Sequence, residues 1–171
     1  MKRLEIPPTL RIPNLNEVPK TESLVAAIKK GHEAKIIEGF VLKPNLKNDL
    51  PFKFYVEINV NNSRLWDLFK ALTLRLPDEI SLIFNHADGD PIYSKYQNKF
   101  TVLDKMSKYT TELTKDCFLE YGTIHHTEVF LEEVLVDCTK YIKYWGMDEA
   151  CFRKTMKEFE IAEIPDFNFM G

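Results

Sequence analysis

Every second residue from Phe54 to Val60 is apolar: Phe54, Val56, Ile58 and Val60 alternate with Tyr55, Glu57 and Asn59. Side chains on a strand point to opposite faces in turn, so this run predicts a strand with one buried side. Asn61-Asn62-Ser63 then offers side-chain caps for a helix. In that helix Leu65, Leu68, Phe69 and Leu72 recur at spacings of three and four and make one apolar stripe. Leu76-Pro77-Asp78 ends it, and Ile80-Ser81-Leu82-Ile83-Phe84 follows as a short apolar run between turn signals, read as a buried strand. A one-sided strand beside a one-sided helix must bury one against the other, which restricts the chain to layered folds. Strand, helix and strand in that order predict a parallel pair with a right-handed crossover.

Thr101-Val102-Leu103-Asp104 has the spacing of a capping box, with Asp where Glu is usual. The predicted helix it opens carries Leu103, Met106, Tyr109 or Thr110, and Leu113 at spacings of three and four. Three strand candidates follow closely, at 117–124, 129–136 and 139–145, and their short connections predict an antiparallel meander. Asp148 can cap a last helix in which Phe152, Met156 and Phe159 are spaced i, i+4, i+7. Upstream, Pro7, Pro8, Pro13, Pro19, Pro44 and Pro51 predict irregular, extended chain. A short helix from Thr21, stopped at Gly31, and a strand over 35–42 interrupt it. The expected fold class is α+β: a mixed sheet of about five strands over 54–145, helices 63–75, 101–114 and 149–160 packed on one face, and an irregular N-terminal extension. The chain reads as a single domain, with a Pro-rich extension (1–50), an α/β core (51–161) and an aromatic C-terminal tail (162–171).

At 171 residues and 44% hydrophobic content the chain can build a proper core, and disorder is not expected. The three cysteines, Cys117, Cys138 and Cys151, are odd in number and lack zinc spacing, so reduced thiols and a cytoplasmic location are expected. The N-terminus has no apolar segment of a secretory signal, and no run approaches the ~20 apolar residues of a membrane helix. Charge is uneven. Residues 76–137 carry twelve Asp/Glu against five Lys/Arg, a net of −7, whereas residues 1–75 carry thirteen Lys/Arg against eight Asp/Glu, a net of +5. Such a block shapes what a surface attracts, not how it folds. With a pI near 5.9, the acidic centre argues against nucleic acid as partner.

Few residues carry chemistry. No GxSxG, P-loop or GxGxxG is present, so no catalytic residue or cofactor is assigned. Asn85-His86-Ala87-Asp88-Gly89-Asp90-Pro91 has carboxylates one residue apart, but counting from Asp88 the fifth and twelfth places are Ile92 and Lys99, which is no calcium loop. It reads as a turn. If the strands before His86 and before His125 ran side by side in the same direction, His86, Asp88 and His125 or His126 would converge on a metal or general-base site. That is the alternative reading, a small metal-dependent enzyme. Adjacent Glu132 and Glu133 on a strand face opposite ways, and Lys140 or Lys143 on the next strand is the expected partner of whichever is buried. A third reading has the aromatic residues Phe167–Met170 docking on another subunit.

The succession Leu131-Glu132-Glu133-Val134-Leu135-Val136-Asp137, then Lys140-Tyr141-Ile142-Lys143-Tyr144-Trp145, then Phe152-Arg153-Lys154-Thr155-Met156 resembles the C-terminal part of certain small bacterial proteins. Among these are immunity proteins of polymorphic-toxin and contact-dependent inhibition systems. The similarity spans residues 77–161. It implies a non-enzymatic protein that binds one toxin domain and blocks its active site. Many such targets are basic nucleases, and an acidic surface speeds and selects encounter with a basic partner. On this reading Asp88, Asp90, Glu120, Glu128, Glu132 and Glu133 are the expected contacts.

Overall fold

The alternation at 54–60 does form a strand, and its neighbours decide the sheet. In the computed structural model, which describes residues 3–34 and 36–165, this strand, β2 (Phe54–Asn59), is flanked by β1 (Gly39–Pro44) and β8 (Ile142–Gly146), both antiparallel to it. Next to β8 come β7 (Leu131–Val136), β6 (Leu119–His126) and β3 (Glu79–His86). The short strands β4 (Ile92–Tyr93) and β5 (Gln97–Asn98) both pair with β3. Among the described residues the sheet therefore has eight strands, all antiparallel, in the order β1-β2-β8-β7-β6-β3-β4.

This corrects the expected mixed sheet of about five strands, although the class remains α+β. β2 and β3 do run in the same direction, but they are not a pair. The meander β6-β7-β8 inserts three strands between them, because short hairpin connections pair locally while β2 and β3 are separated by a helix. Strand β1 likewise converts part of the expected N-terminal extension into sheet. It is tied across its loop to β2 by Asn45, whose Nδ2 donates to Phe52 O at 2.7 Å.

The register puts one consistent set of side chains on the side covered by helices. Phe40, Phe54, Val56, Ile58, Tyr121, Val134, Val136, Ile142 and Tyr144 are all buried there. Against them pack α2 (Leu65–Thr73), through Leu65, Leu68, Phe69 and Leu72, and α5 (Glu149–Glu158), through Phe152 and Met156. The Phe152 ring lies 5.3 Å from Phe40, 5.7 Å from Phe54 and 5.3 Å from Tyr144, so truncating it would cost roughly 3–5 kcal/mol. Asp148 caps α5 by accepting from Cys151 N at 2.9 Å, as the sequence suggested.

Three local expectations fail for tertiary reasons. The helix over 101–114 is two helices, α3 (Lys99–Ser107) and α4 (Thr110–Lys115), because α3 packs toward β3 while α4 must turn to meet β6. Its start is capped not by a Thr101–Asp104 box but by Asn98, whose side chain accepts from Phe100 N. The helix begins earlier because Lys99 is drawn inward: its Nζ donates to Leu74 O at 2.9 Å and Leu76 O at 2.8 Å, satisfying carbonyls just beyond the end of α2. Finally, α1 (Glu22–Glu33) runs past Gly31 with no side-chain cap at Thr21, and Gly31 instead admits the Ile12 side chain. The tail residues Phe167–Met170 lie outside the described residues.

Gly122, central in β6, is a position of enforced close approach. A Cβ there would collide with the carbonyl oxygen of Val134 and lie 3.1 Å from Leu135 Cα. Gly122→Ala is expected to destabilise the protein by about 3 kcal/mol or more, through displacement of β7. A urea midpoint equal to wild type would contradict that packing.

Candidate functional site

Antiparallel pairing disperses the acidic residues of the middle segment. Because β3 and β6 run oppositely, the turn carrying Asp88 and Asp90 stands beside the start of β6, whereas Glu128 lies in the β6–β7 hairpin at its far end. Glu120, near the start of β6, pairs with Asn85 and Glu133 with Ile124, which puts both on the sheet face turned away from the core. Glu132 points the other way, under the helices. The same geometry separates the histidines. His86 pairs with Leu119, so His125, six positions along β6, is about 20 Å away. The expected convergence required parallel strands. His125 instead bonds through Nδ1 to Glu79 O at 2.6 Å, and His86 stacks on Phe118 at 5.9 Å. Among the described residues no group of three or more His, Cys, Asp or Glu is placed to hold a metal ion.

Two places remain where groups converge. The first is a cleft of about 640 Å³ between the end of α2, the start of α5 and the β7–β8 end of the sheet. Glu132 lines it, 7% exposed, and its Oε2 accepts from the Tyr144 hydroxyl at 3.2 Å. The expected lysine partners are absent: Lys143 reaches Asp137 at 3.0 Å on the reverse face, and Lys140 donates to Leu119 O at 2.7 Å. Burial therefore pushes the Glu132 carboxyl up to about 7, an effect reinforced by Asp148 and opposed by the Tyr144 hydrogen bond. Nearby, Arg75 Nη1 donates to Cys151 Sγ at 2.8 Å, and its Nη2 stands 3.7 Å from Glu158. Arg75, Tyr144 and Cys151 had no signal in the sequence, since they come from three separate elements.

The second place is the β4 end of the sheet. Phe84 on β3 and Ile92 on β4 are cross-strand neighbours, and Phe84 shares a groove with Tyr109 at the start of α4. Phe118 lies alongside against His86. These apolar residues are 38%, 68%, 59% and 63% exposed, for Phe84, Ile92, Tyr109 and Phe118 in turn. Carboxylates border them: Asp88 and Asp90 in the β3–β4 connection, Glu112 on α4 beside the groove, and Asp116, which accepts from Phe118 N at 2.9 Å. The turn is tied to this end by Ala87 N donating to Phe118 O at 2.7 Å.

Comparison with protein-family models, with curated proteins and with solved structures finds no match to this chain. Among the described residues no helix is long and apolar enough to cross a membrane.

The back-to-back pair on β7 has a pH signature. Burial, with Glu120 adding to it, also pushes Glu133 up to about 7, against an ordinary 4.5 for both carboxyls. Between those values the folded protein binds more protons than the unfolded chain. The stability these two carboxyls contribute is therefore full below about 4.5, is lost as pH rises towards 7, and changes no further above. Glu132→Gln, which keeps an acceptor for Tyr144, is expected to stabilise by about 1–3 kcal/mol at pH 8 and to change little at pH 4. Urea melts at the two pH values measure it, and a pH-independent difference would refute the assignment.

Proposed function

We propose that this protein is a non-enzymatic binding protein that engages a basic protein partner through the β4 end of its sheet. The resemblance to immunity proteins supplies the class of partner: a cognate toxin domain of the basic nuclease kind, whose active site is covered in the cytoplasm. The observation that supports this reading is the exposed cluster Phe84, Ile92, Tyr109 and Phe118 with Asp88, Asp90, Glu112 and Asp116 around it. Aromatic anchors inside a charged border are the anatomy of a protein interface, where the rings supply affinity and the charges supply encounter rate and selectivity. A contiguous group of large apolar side chains exposed at one place is also uncommon on a surface with no partner.

The contact set is narrower than the sequence suggested. Asp88 and Asp90 belong to this face. Glu120 and Glu133 lie on the other side of the sheet, Glu128 at its far end, and Glu132 in the cleft. Glu112 and Asp116 join instead.

The test is co-expression with the C-terminal domain of a toxin encoded beside this chain, scored as growth. Wild type is expected to restore growth. Asp88→Lys with Asp90→Lys, both exposed turn residues, is expected to lose that rescue while keeping its thermal midpoint, and to slow association by about tenfold or more at low salt. Undiminished rescue by the double variant would remove the acidic border from the interface.

A further inference from the structure

The cleft between the end of α2, the start of α5 and the β7–β8 end of the sheet has the volume of a small-molecule site, about 640 Å³ where such sites run roughly 300–1,000 Å³. Its apolar walls include Pro77, Phe130 and Met147, each partly open to solvent. Glu132 stands among them, 7% exposed, with one carboxyl oxygen paired and one free. Oε2 accepts from the Tyr144 hydroxyl, and Oε1 has no hydrogen-bond partner among the described residues. Unlike the Tyr121 hydroxyl, Oε1 is not sealed from solvent, and the cleft that Glu132 lines gives access to it.

Among the described residues no cation of the protein forms a salt bridge with this carboxyl. Arg75, on the same cleft, is engaged by Cys151 Sγ and Glu158. Lys99 serves Leu74 O, Leu76 O and Asp78, and only its more distant charge acts on Glu132. His125, the cross-strand neighbour on β6, bonds to Glu79 O, and Lys53 is exposed. Asp148 and Glu149, exposed at the start of α5, add negative charge to the same cleft.

A buried carboxylate short of a counter-charge is costly, and a cation that enters beside it offsets that cost. We infer that this cleft binds a small primary amine with an apolar ring, its ammonium paired with Glu132 Oε1 and its ring against Phe130 and Met147. Ring and methionine walls favour an aromatic body. A metal ion is poorly served, because among the described residues no three His, Cys, Asp or Glu converge. The ammonium pairs with the ionised carboxyl, which burial raises to about 7, so binding strengthens as pH rises through 7 and levels off above. The inference stands on the cleft and Glu132 and is independent of the protein-partner reading, which concerns the β4 end of the sheet.

The experiment uses benzylamine and benzyl alcohol, alike in ring but not in charge, on the full chain with methyl-labelled Met. Benzylamine is expected to shift the Met147 methyl resonance saturably and to leave Met106, on α3, unmoved. Its Kd is expected to be about tenfold lower at pH 8 than at pH 6, where the amine stays protonated but Glu132 does not stay ionised. Benzyl alcohol is expected to bind about tenfold or more weakly than benzylamine at pH 8 in the wild type. In Glu132→Gln, benzylamine is expected to bind no better than the alcohol, with no change between the two pH values. The proposal is overturned by the absence of a saturable Met147 shift, or by equal affinity for amine and alcohol in the wild type. A pH dependence that survives in Glu132→Gln belongs to another group, such as His125, and overturns it as well.

Discussion

Strands β2, β8, β7 and β6 turn Val56, Ile58, Ile142, Tyr144, Val134, Val136 and Tyr121 toward the helices, and all are excluded from water. This burial holds the molecule together. Side chains alternate with a period of two, so a slip of one residue in any of these strands would send its apolar set to the opposite face. It would also bring a side chain onto Gly122, where Val134 O and Leu135 leave no room. Register, helix placement and the positions of the surface carboxylates all follow from that one arrangement.

The covered layer is not wholly apolar. Thr73 and Thr123 share a buried hydrogen bond at 2.8 Å between α2 and β6. Lys99 is buried because the carbonyls beyond α2 need its ammonium. These groups are satisfied and fix how α2 and α3 sit on the sheet. Glu132 and Tyr121 differ. Among the described residues the carboxylate of the first has one hydrogen bond and no salt bridge, with the charge of Lys99 only partly offsetting its burial, and the hydroxyl of the second has no hydrogen-bond partner. Glu132 lines the α2–α5 cleft, whereas Tyr121 is wholly buried in the covered layer. A buried polar group left short of partners costs stability unless something else meets it, which is why both sites stand out from an otherwise closed core.

Local pattern was a good guide where burial agreed with it. The alternation at 54–60, the stripe Leu65–Leu72, the cap at Asp148 and the opposite facing of Glu132 and Glu133 all appear as read, since a one-sided strand or helix has only one way to hide its apolar side. Pattern failed where a distant residue decided the outcome. Lys99 moved a helix start through carbonyls on another helix, and Gly31 accommodates Ile12 where a helix stop was expected. Phe84 read as core, but it lies beside the two-residue strand β4, which leaves it exposed.

The acidic block shows the division most clearly. The sequence by itself determined its sign and its confinement to residues 76–137, because charge is a property of composition. It also determined that Glu132 and Glu133 oppose each other, because alternation along a strand is local. Only the tertiary structure decided which carboxylates share a surface. That depended on β3 and β6 pairing antiparallel, which carries His86 and His125 to opposite ends and ties the turn of Asp88 and Asp90 to Phe118 through Ala87. Strand direction is set by partners far apart in the chain, and no spacing within a segment encodes it.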